Sequence, residues 1–376
     1  MSDARHIYQR DLSTGVLTVT SDTPDDFDAL FEIAERRNPK RAFLFVSKLL
    51  GRHIPIKPSV MRETYRRLAA QIPDDLVEPV LFIGMAETAV GLAAGVYQEA
   101  SALLSQSVLL TSTRHPVDGD LLCEFKENHS HATDHLIYWP EDADLRERVE
   151  QAKTLVLIDD EATTGNTFAN LFAALSDAGL ENVDQLVTIT LTDWSQNALE
   201  QKATVPVTCI SLAQGSWHWD ADPEAPAPVM PAVNVTARGA VDIVGRQSWG
   251  RLGMDETLCE IGHHIQGCAG EKVLVLGTSE FVWQPYLLAE KLEAQGVAVY
   301  YSSTTRSPIA LGHAIKSVIA FTDNYGLGIP NFAYNVGHQQ FDRVYLCCET
   351  PANSIDPVLL QQLGDIASHV EVVVYE

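Results

Sequence analysis

The feature that most constrains the fold is a stretch near the middle of the chain where an apolar run ends in two adjacent carboxylates. Leu155–Ile158 is an apolar run of the length that forms a buried strand, and Asp159 and Asp160 follow it directly. A loop rich in hydroxyl groups comes next. The apolar residues after the loop have the spacing of one buried helix face: Phe168, Leu171, Phe172 and Leu175. The pattern therefore predicts a strand, a loop and a helix in that order, which is the basic unit of an α/β fold.

This order of parts suits a phosphorylated sugar. A helix N-terminus presents unpaired N–H groups and about half a positive charge, so it binds phosphate readily. Gly165 allows the backbone to approach the anion closely, and the two carboxylates can accept from sugar hydroxyls or hold a hydrated Mg²⁺. The alternative is an ordinary strand, turn and helix with a capping threonine. The threonines that can donate to the phosphate are Thr163, Thr164 and Thr167.

The same string resembles the PRPP-binding motif of type I phosphoribosyltransferases. The resemblance implies that Asp159 and Asp160 contact the ribose hydroxyls, with Mg²⁺ as cofactor. It also implies that the loop takes the 5′-phosphate. Some purine-type members have an Asp at the start of this loop, whereas this chain has a threonine, as orotate-type members do. The implied phosphate loop is Thr163, Thr164, Gly165, Asn166 and Thr167.

Length and composition fit a folded protein of two or three domains. The chain has 376 residues, of which 46% are hydrophobic and 20% charged. Its net charge of −24 repels nucleic acids and anionic membranes, so we expect neither as a partner. The first residues have no apolar core and do not predict a signal peptide. Six cysteines without C-x-x-C spacing favour reduced thiols and a cytoplasmic location.

Strand-like and helix-like runs alternate along most of the chain, which predicts α/β layers around mostly parallel sheets. One helix is predicted near Asp25–Arg36. A proline-rich segment after Trp217 indicates a linker. We therefore expect a phosphoribosyltransferase domain at residues 1–216, a connector at 217–265 and a smaller α/β domain at 266–376.

The two domains share a sequence skeleton that indicates an internal repeat. Leu81–Glu87 and Leu274–Glu280 each hold a strand that ends in glycine, and an Arg-x-Pro string follows later in both. The predicted register equates Asp159-Asp160 with Cys347-Cys348. The second domain is then a degenerate copy that does not bind PRPP at the corresponding place. The alternative is that two α/β units have this pattern by chance.

A loop after an earlier strand is the candidate seat for diphosphate. In the family this loop follows a strand such as Leu81–Ile83, and its amides bind the anion. Glu87 is unusual beside a diphosphate, so it is expected to contact Mg²⁺ or an arginine. A plain strand–helix turn is the alternative. The residues of the loop are Met85, Ala86, Glu87 and Thr88.

Two further segments hold clusters of charged residues that are candidates for the site. The segment Glu124–His135 lies where type I enzymes have a mobile catalytic loop. A metal site or a solvated loop are its alternatives. The stretch from Asn38 to Pro55 resembles the hood that encloses the base in orotate-type enzymes. The lid candidates are Arg114, Lys126, His129 and His131, and the hood candidates are Lys48, Arg52 and His53.

Together these strings resemble a bacterial family in which an orotate-type phosphoribosyltransferase precedes a TRSP domain, the name matching Thr305-Arg306-Ser307-Pro308 here. Such genes are associated with tellurium-resistance clusters that look biosynthetic. The resemblance implies phosphoribosyl transfer between PRPP and a nitrogenous base, or the reverse reaction, in a possible homodimer. A regulator that binds PRPP or a nucleotide without chemistry is the alternative from another class. A two-domain PRPP synthetase would need an ATP site that the sequence does not show.

Overall fold

The computed structural model describes residues 6–21, 27–36, 41–126, 134–225, 231, 233, 235–244, 249–255 and 265–376. Within these ranges the α-helices are α1 (Phe27–Leu30), α2 (Pro58–Ala69), α3 (Val90–Ala100), α4 (Ala143–Glu150), α5 (Asn166–Asp177), α6 (Trp283–Ala294) and α7 (Pro357–Ile366). The strands are β1 (His6–Leu12), β2 (Gly15–Ser21), β3 (Phe31–Glu35), β4 (Phe43–Ser47), β5 (Val80–Gly84), β6 (Ser107–Thr111), β7 (Leu121–Lys126), β8 (Asp134–Tyr138), β9 (Thr154–Ile158), β10 (Glu161–Ala162), β11 (Gln185–Asp193), β12 (Val207–Ala221), β13 (Lys272–Gly277), β14 (Ala298–Ser303), β15 (Val318–Thr322), β16 (Pro330–Tyr334), β17 (Phe341–Cys348) and β18 (Ala367–Val374). Short 3₁₀ turns span Ser101–Leu103 and Ala352–Ser354.

The larger sheet confirms the α/β prediction. Its strand order is β1-β2-β12-β11-β9-β5-β6, with β10 beside β11. The strands from β12 to β6 are parallel, and β1 and β2 are joined antiparallel at one edge. Every residue of β5, β6 and β9 is buried, which is the pattern of parallel strands covered on both faces.

The smaller sheet is parallel throughout, in the order β14-β13-β17-β18. We call residues 6–221 the N-terminal unit, residues 222–271 the connector and residues 272–376 the C-terminal unit. None of the helices in the described ranges is long and apolar enough to cross a membrane.

The two units share one strand plan. The order β6-β5-β9-β11 in the N-terminal unit corresponds to β14-β13-β17-β18 in the C-terminal unit. An antiparallel hairpin, β7–β8 or β15–β16, lies between the second and third strands along the chain in each. Gly84 is opposite Thr111 and Ile158, and Gly277 is opposite Ser303 and Cys347. This correspondence supports the predicted repeat.

The register differs by one position from the one predicted. Because Gly84 faces Ile158 and Gly277 faces Cys347, Ile158 corresponds to Cys347. The next positions then equate Asp159 with Cys348 and Asp160 with Glu349. The expectation that two cysteines replace both carboxylates is therefore wrong. The C-terminal unit keeps an acid where the N-terminal unit has Asp160.

A segment from elsewhere in the chain covers an outer strand edge of each unit. In the connector, the carbonyl of Gly250 accepts from Thr111 N–H of β6 at 3.0 Å, and Met254 bridges to Leu109. In the N-terminal unit, the carbonyl of Gly51 accepts from Ser303 N–H of β14 at 2.9 Å. Nearby, Ile56 bridges to Tyr301. An arginine follows the glycine in both segments: Arg52 and Arg251.

A shared hydrophobic core joins the units. Helices α2 and α3 pack against α6 of the C-terminal unit, and one buried cluster holds residues of both units. The Tyr65 ring lies edge-on to Tyr286, with ring centroids 5.5 Å apart. Gly95 of α3 lies directly against Tyr65, and a Cβ at this position would be 2.2 Å from that ring. The absence of a side chain at Gly95 therefore sets how closely α2 approaches α3.

One sequence expectation fails at the two-stranded sheet of β3 and β4. The helix predicted near Asp25–Arg36 is only the short α1, and the strand β3 follows it at once. Phe27 and Phe31 have helical spacing, but Phe31 pairs with Ser47 of β4 and its ring packs against Phe45, so tertiary pairing overrides the local pattern. Strand β12 continues past residue 216, the predicted domain boundary, because its end pairs with β2.

We predict that Gly95→Ala lowers the free energy of unfolding by about 1–3 kcal/mol, because the added methyl group overpacks the contact with Tyr65. Gly364→Ala in α7 is the matched control. It meets no atom within 4 Å and should stabilise the protein by about 0.5–1 kcal/mol. Urea unfolding measures both. An equal gain in stability for the two variants would contradict the close packing of α2 and α3.

Candidate active site

The two predicted carboxylates lie side by side at the carboxyl end of β9. Asp159 and Asp160 are both partly exposed, directly after a strand that is wholly buried. The N–H of Asp160 donates to Asp159 Oδ1 at 2.9 Å, and the N–H of Asp159 donates to the carbonyl of Ile189 at 3.1 Å. The turn is thus fixed to the sheet while the carboxylates remain reachable from solvent.

The loop after the carboxylates leads into a helix, as predicted. Glu161 and Ala162 form the short β10 beside β11, and α5 begins at Asn166. Gly165 precedes the helix with a φ of 68°, a left-handed conformation that favours glycine. A Cβ there would also lie 3.3 Å from the backbone nitrogen of Leu199. The remaining loop residues are partly exposed: Thr163, Thr164, Asn166 and Thr167.

A lysine that sequence reasoning missed lies at this loop. Lys202 Nζ donates to Asn166 Oδ1 at 2.6 Å and to the carbonyl of Thr164. It comes from an exposed turn well beyond α5 in the sequence, and no motif marks it. It places a positive charge beside the residues predicted to hold a phosphate.

The predicted diphosphate loop adjoins the carboxylates. Thr88 Oγ1 donates to Asp160 Oδ1 at 2.9 Å, so the two predicted binding segments are in direct contact. Met85 and Ala86 are buried, and their N–H groups donate to the carbonyl of Ile158 and to Ser112 Oγ. The amides of these two residues are therefore engaged within the protein.

Glu87 contacts arginines, one of the two kinds of partner that the sequence suggests. Arg306 Nε lies 2.9 Å from Glu87 Oε2, and Arg52 lies 3.3 Å from Oε1. Thr305 Oγ1 donates to the same carboxylate at 3.2 Å. Burial alone would raise the pKa of Glu87. Arg52, Arg306 and Arg114 lower it further than burial raises it, to about 2.

The lid candidates divide into three groups. Arg114 is buried at the junction of the units, where its N–H donates to Glu280 Oε1 at 2.9 Å and its guanidinium lies 3.3 Å from His135 Nε2. Lys126 ends β7, and its carbonyl accepts from Asn170 of α5 at 3.0 Å, so this hairpin packs beside the phosphate loop's helix. His129 and His131 lie outside the described residues.

The hood candidates are distributed over different parts of the fold. Lys48 donates to the carbonyl of Asp28 at 2.7 Å and pairs with Glu32. Arg52 and His53 are buried against the C-terminal unit, and burial lowers the pKa of His53 to about 3. The contact of these residues with a base stays a prediction, and only Arg52 joins the loop beside Asp160.

An arginine and an aromatic cluster lie beside the motif. Arg41 donates to Glu161 Oε1 at 2.6 Å, and its guanidinium lies over the Phe43 ring at 4.8 Å and the Trp217 ring at 5.7 Å. Burial raises the pKa of Glu161, and the neighbouring Arg41 opposes that rise. The strand β4 is thereby tied to the residue that follows the two aspartates.

The carboxylates fit magnesium carried by a phosphorylated substrate better than a fixed metal centre. Within the part of the chain that the structure describes, no group of three or more His, Cys, Asp or Glu side chains could hold a metal ion. Mg²⁺ commonly keeps several waters and binds one or two carboxylates together with substrate phosphates. Asp159 and Asp160, adjacent and partly exposed, supply that kind of ligand.

Comparisons with protein families define the class. A family model described as phosphoribosyl transferase matches residues 30–216. A second model, for the TRSP domain that lies C-terminal to that transferase, matches residues 245–363. The chain is thus a phosphoribosyl transferase by class. More particularly, it belongs to the family in which this transferase is followed by a TRSP domain, which confirms the resemblance read from the sequence.

Solved structures with a similar fold include three phosphoribosyltransferases. The adenine enzyme of Trypanosoma brucei is 14% identical and matches over 55% of this chain and 86% of its own, with a TM-score of 0.35. The adenine enzyme of Rhodothermus marinus is 16% identical and matches over 50% of this chain and 94% of its own, with a TM-score of 0.32. The orotate enzyme of Aeropyrum pernix is 18% identical and matches over 46% of this chain and 80% of its own, with a TM-score of 0.28. These values are too low to indicate a substrate. No curated protein sequence matches significantly.

We predict that Glu87 stabilises the fold in a pH-dependent way. Its pKa in the folded protein, about 2, is below the ordinary value of 4.5, so its contribution is complete above the ordinary pKa and is lost as the pH falls towards 2. The difference in free energy of unfolding between wild type and Glu87→Gln should therefore shrink between about pH 6 and about pH 3.5. Urea unfolding at both pH values measures it, and a difference that grows on acidification would contradict the arginine contacts.

Proposed function

We propose that this protein transfers the 5-phosphoribosyl group between PRPP and a nitrogenous base, with Mg²⁺. In the forward direction the bond from ribose C1 to diphosphate breaks, a bond from C1 to the base nitrogen forms, and the base loses a proton. The observation that carries the proposal is the pair of partly exposed carboxylates, Asp159 and Asp160, beside a glycine-initiated helix in a phosphoribosyl transferase family member.

The sugar and its 5′-phosphate are the best-supported part of the proposal. The carboxylates accept from the ribose hydroxyls, and the start of α5 takes the phosphate with its N–H groups and the loop threonines. Lys202 adds a positive charge at the same loop. Each hydrogen bond to the charged phosphate contributes roughly 1.5–3 kcal/mol, so a few of them suffice for binding in water.

The departing diphosphate needs positive charge in a protein of net charge −24. We assign the positive charge to Arg114 and Lys126, as the family resemblance implies. The loop at residues 85–88 is the proposed seat of the diphosphate, but the amides of Met85 and Ala86 do not contribute because they are engaged within the protein. Bound Mg²⁺ would be held by Asp159, Asp160 and the substrate's phosphates, and it would neutralise charge on the leaving group. The acceptor base, a contact of that base with Lys48, Arg52 or His53, a cytoplasmic location and assembly as a homodimer remain parts of the proposal.

The test combines the protein with PRPP, Mg²⁺ and a panel of purine, pyrimidine and other nitrogenous bases, and it measures released diphosphate. We predict that Asp160→Asn lowers turnover by about 100-fold, because it removes charge-assisted hydrogen bonds worth roughly 3 kcal/mol. Asp177→Asn, the same exchange at an exposed site at the end of α5, is the control and should leave turnover unchanged.

The outcomes separate the rival functions. PRPP binding without diphosphate release for any base would favour the non-catalytic regulator. Turnover that survives Asp160→Asn would remove the carboxylates from the reaction.

We also predict that Gly165→Ala weakens PRPP binding by about tenfold, since an alanine at a φ of 68° is strained and shifts the start of α5. Gly179→Ala is the matched control. Gly179 also has a positive φ, of 104°, but it lies at the other end of α5 and has no atom within 4 Å of an added Cβ. Calorimetry with PRPP and Mg²⁺ compares the two, and equal affinities would argue against phosphate binding at this loop.

A further inference from the structure

We propose that Arg306, the arginine of the TRSP string, is a positioning residue for the phosphoribosyl site. It acts across the junction of the units, through Glu87 and Thr88, on Asp160. The inference rests on the proposed function, because it assigns the C-terminal unit a part in holding the ribose-binding carboxylate.

The first step is the contact between Arg306 and Glu87. Arg306 is 8% exposed, and its Nε lies 2.9 Å from Glu87 Oε2. Its Nη1 also donates to the carbonyl of Val235 in the connector at 2.8 Å, so the planar guanidinium is fixed by two partners. Thr305 Oγ1 and Arg306 N–H reach the other carboxylate oxygen at 3.2 and 3.4 Å. The C-terminal unit therefore holds both oxygens of Glu87.

The second step passes from Glu87 to the carboxylate of the site. Thr88 is the next residue in the chain, and its Oγ1 donates to Asp160 Oδ1 at 2.9 Å. The loop is anchored on its other side, where Met85 N–H donates to the carbonyl of Ile158 at 2.9 Å. A shift of Glu87 therefore moves Thr88 relative to Asp160, because the rest of the loop is bound to the strand that carries the carboxylates.

The third step is the asymmetry between the units. The corresponding glutamate, Glu280, makes the reverse contact: it accepts from Thr113 Oγ1 at 2.6 Å and from Arg114 N–H at 2.9 Å. In the C-terminal unit, however, the position of Asp160 is taken by Glu349, which is fully buried. Both terminal nitrogens of the Arg251 guanidinium donate to the Glu349 carboxylate, at 2.7 and 2.9 Å.

The burial of Glu349 makes the two units unequal in what their acids can bind. The acid of the C-terminal unit is neutralised by Arg251 and has no exposed surface, whereas Asp160 is partly exposed beside the phosphate loop. Of these two acids, Asp160 is the one that a ligand can reach, so contacts between the units can affect ligand binding at the N-terminal carboxylates. The C-terminal unit serves as a fixed support for the loop that carries Glu87 and Thr88.

The experiment compares Arg306→Met with Glu290→Gln in the full-length protein. Glu290 of α6 also joins the units, through a two-pronged pair with Arg62 of α2 at 2.7 and 2.8 Å, but it does not belong to the loop. Both variants break an ion pair across the junction. Only Arg306→Met should weaken binding of PRPP with Mg²⁺ in calorimetry, by about tenfold, which is in the usual range for coupling between sites. Hydrogen exchange at residues 85–88 in the ligand-free protein should rise in Arg306→Met and not in Glu290→Gln.

A double-variant cycle tests the route through Thr88. If Arg306 acts through the hydroxyl of Thr88, then Arg306→Met should cost little further affinity in a Thr88→Val background, because contacts in one network are not additive. Glu290→Gln should be additive with Thr88→Val. Arg306→Lys keeps the charge and should recover part of the affinity. It also provides the comparison if the methionine variant fails to fold.

Each outcome decides between the two proposals. If wild type does not bind PRPP, the proposed function fails and the positioning role fails with it. If wild type binds PRPP and Arg306→Met binds equally well, or if its effect adds fully to that of Thr88→Val, only the positioning role is overturned.

Discussion

Two glutamates cross the junction between the units, Glu280 buried and Glu87 with 12% of its side chain exposed, and the arrangement of the site depends on them. Glu87 of the N-terminal unit is held by Thr305 and Arg306, and Glu280 of the C-terminal unit is held by Thr113 and the backbone of Arg114. A buried carboxylate is costly unless it is paired and hydrogen-bonded. Neither glutamate can keep these partners if the units separate. The loops that carry them therefore gain these anchors only in the assembled chain.

The two units have the same architecture and make corresponding glutamate contacts, but only one of them holds the candidate site. Both units have a parallel sheet with a glycine at the end of a central strand, and both place a glutamate three residues later. The acid beside that strand differs in its surroundings: Asp160 is partly exposed, whereas Glu349 is enclosed by Arg251 and Tyr325. One unit thus retains the features of a ligand site, and the other uses the corresponding position for internal contacts.

Sequence reasoning succeeded where the information is local. The apolar run before Asp159, the glycine before α5 and the family motif predicted the strand, the loop and the helix, because periodicity and turn chemistry determine such elements. It failed where distant segments meet. Phe27 and Phe31 suggested a helix, but β4 pairs with the segment instead. No local pattern could show that Lys202 reaches Asn166 or that Arg306 reaches Glu87, since these contacts depend on the packing of whole units.

The covered strand edges determine the order in which the molecule can be completed during synthesis. The outer edge of β6 pairs with Gly250 and Met254, and the outer edge of β14 pairs with the segment Gly51–Ile56. Chains emerge from the ribosome with the N-terminal part first. The edge of β6 must therefore stay unpaired until residues near 254 have been translated, and Glu87 lacks its contacts with Thr305 and Arg306 until that later segment has followed. Long-range closure of this kind slows folding, and it leaves an unpaired strand edge open to association in the nascent chain.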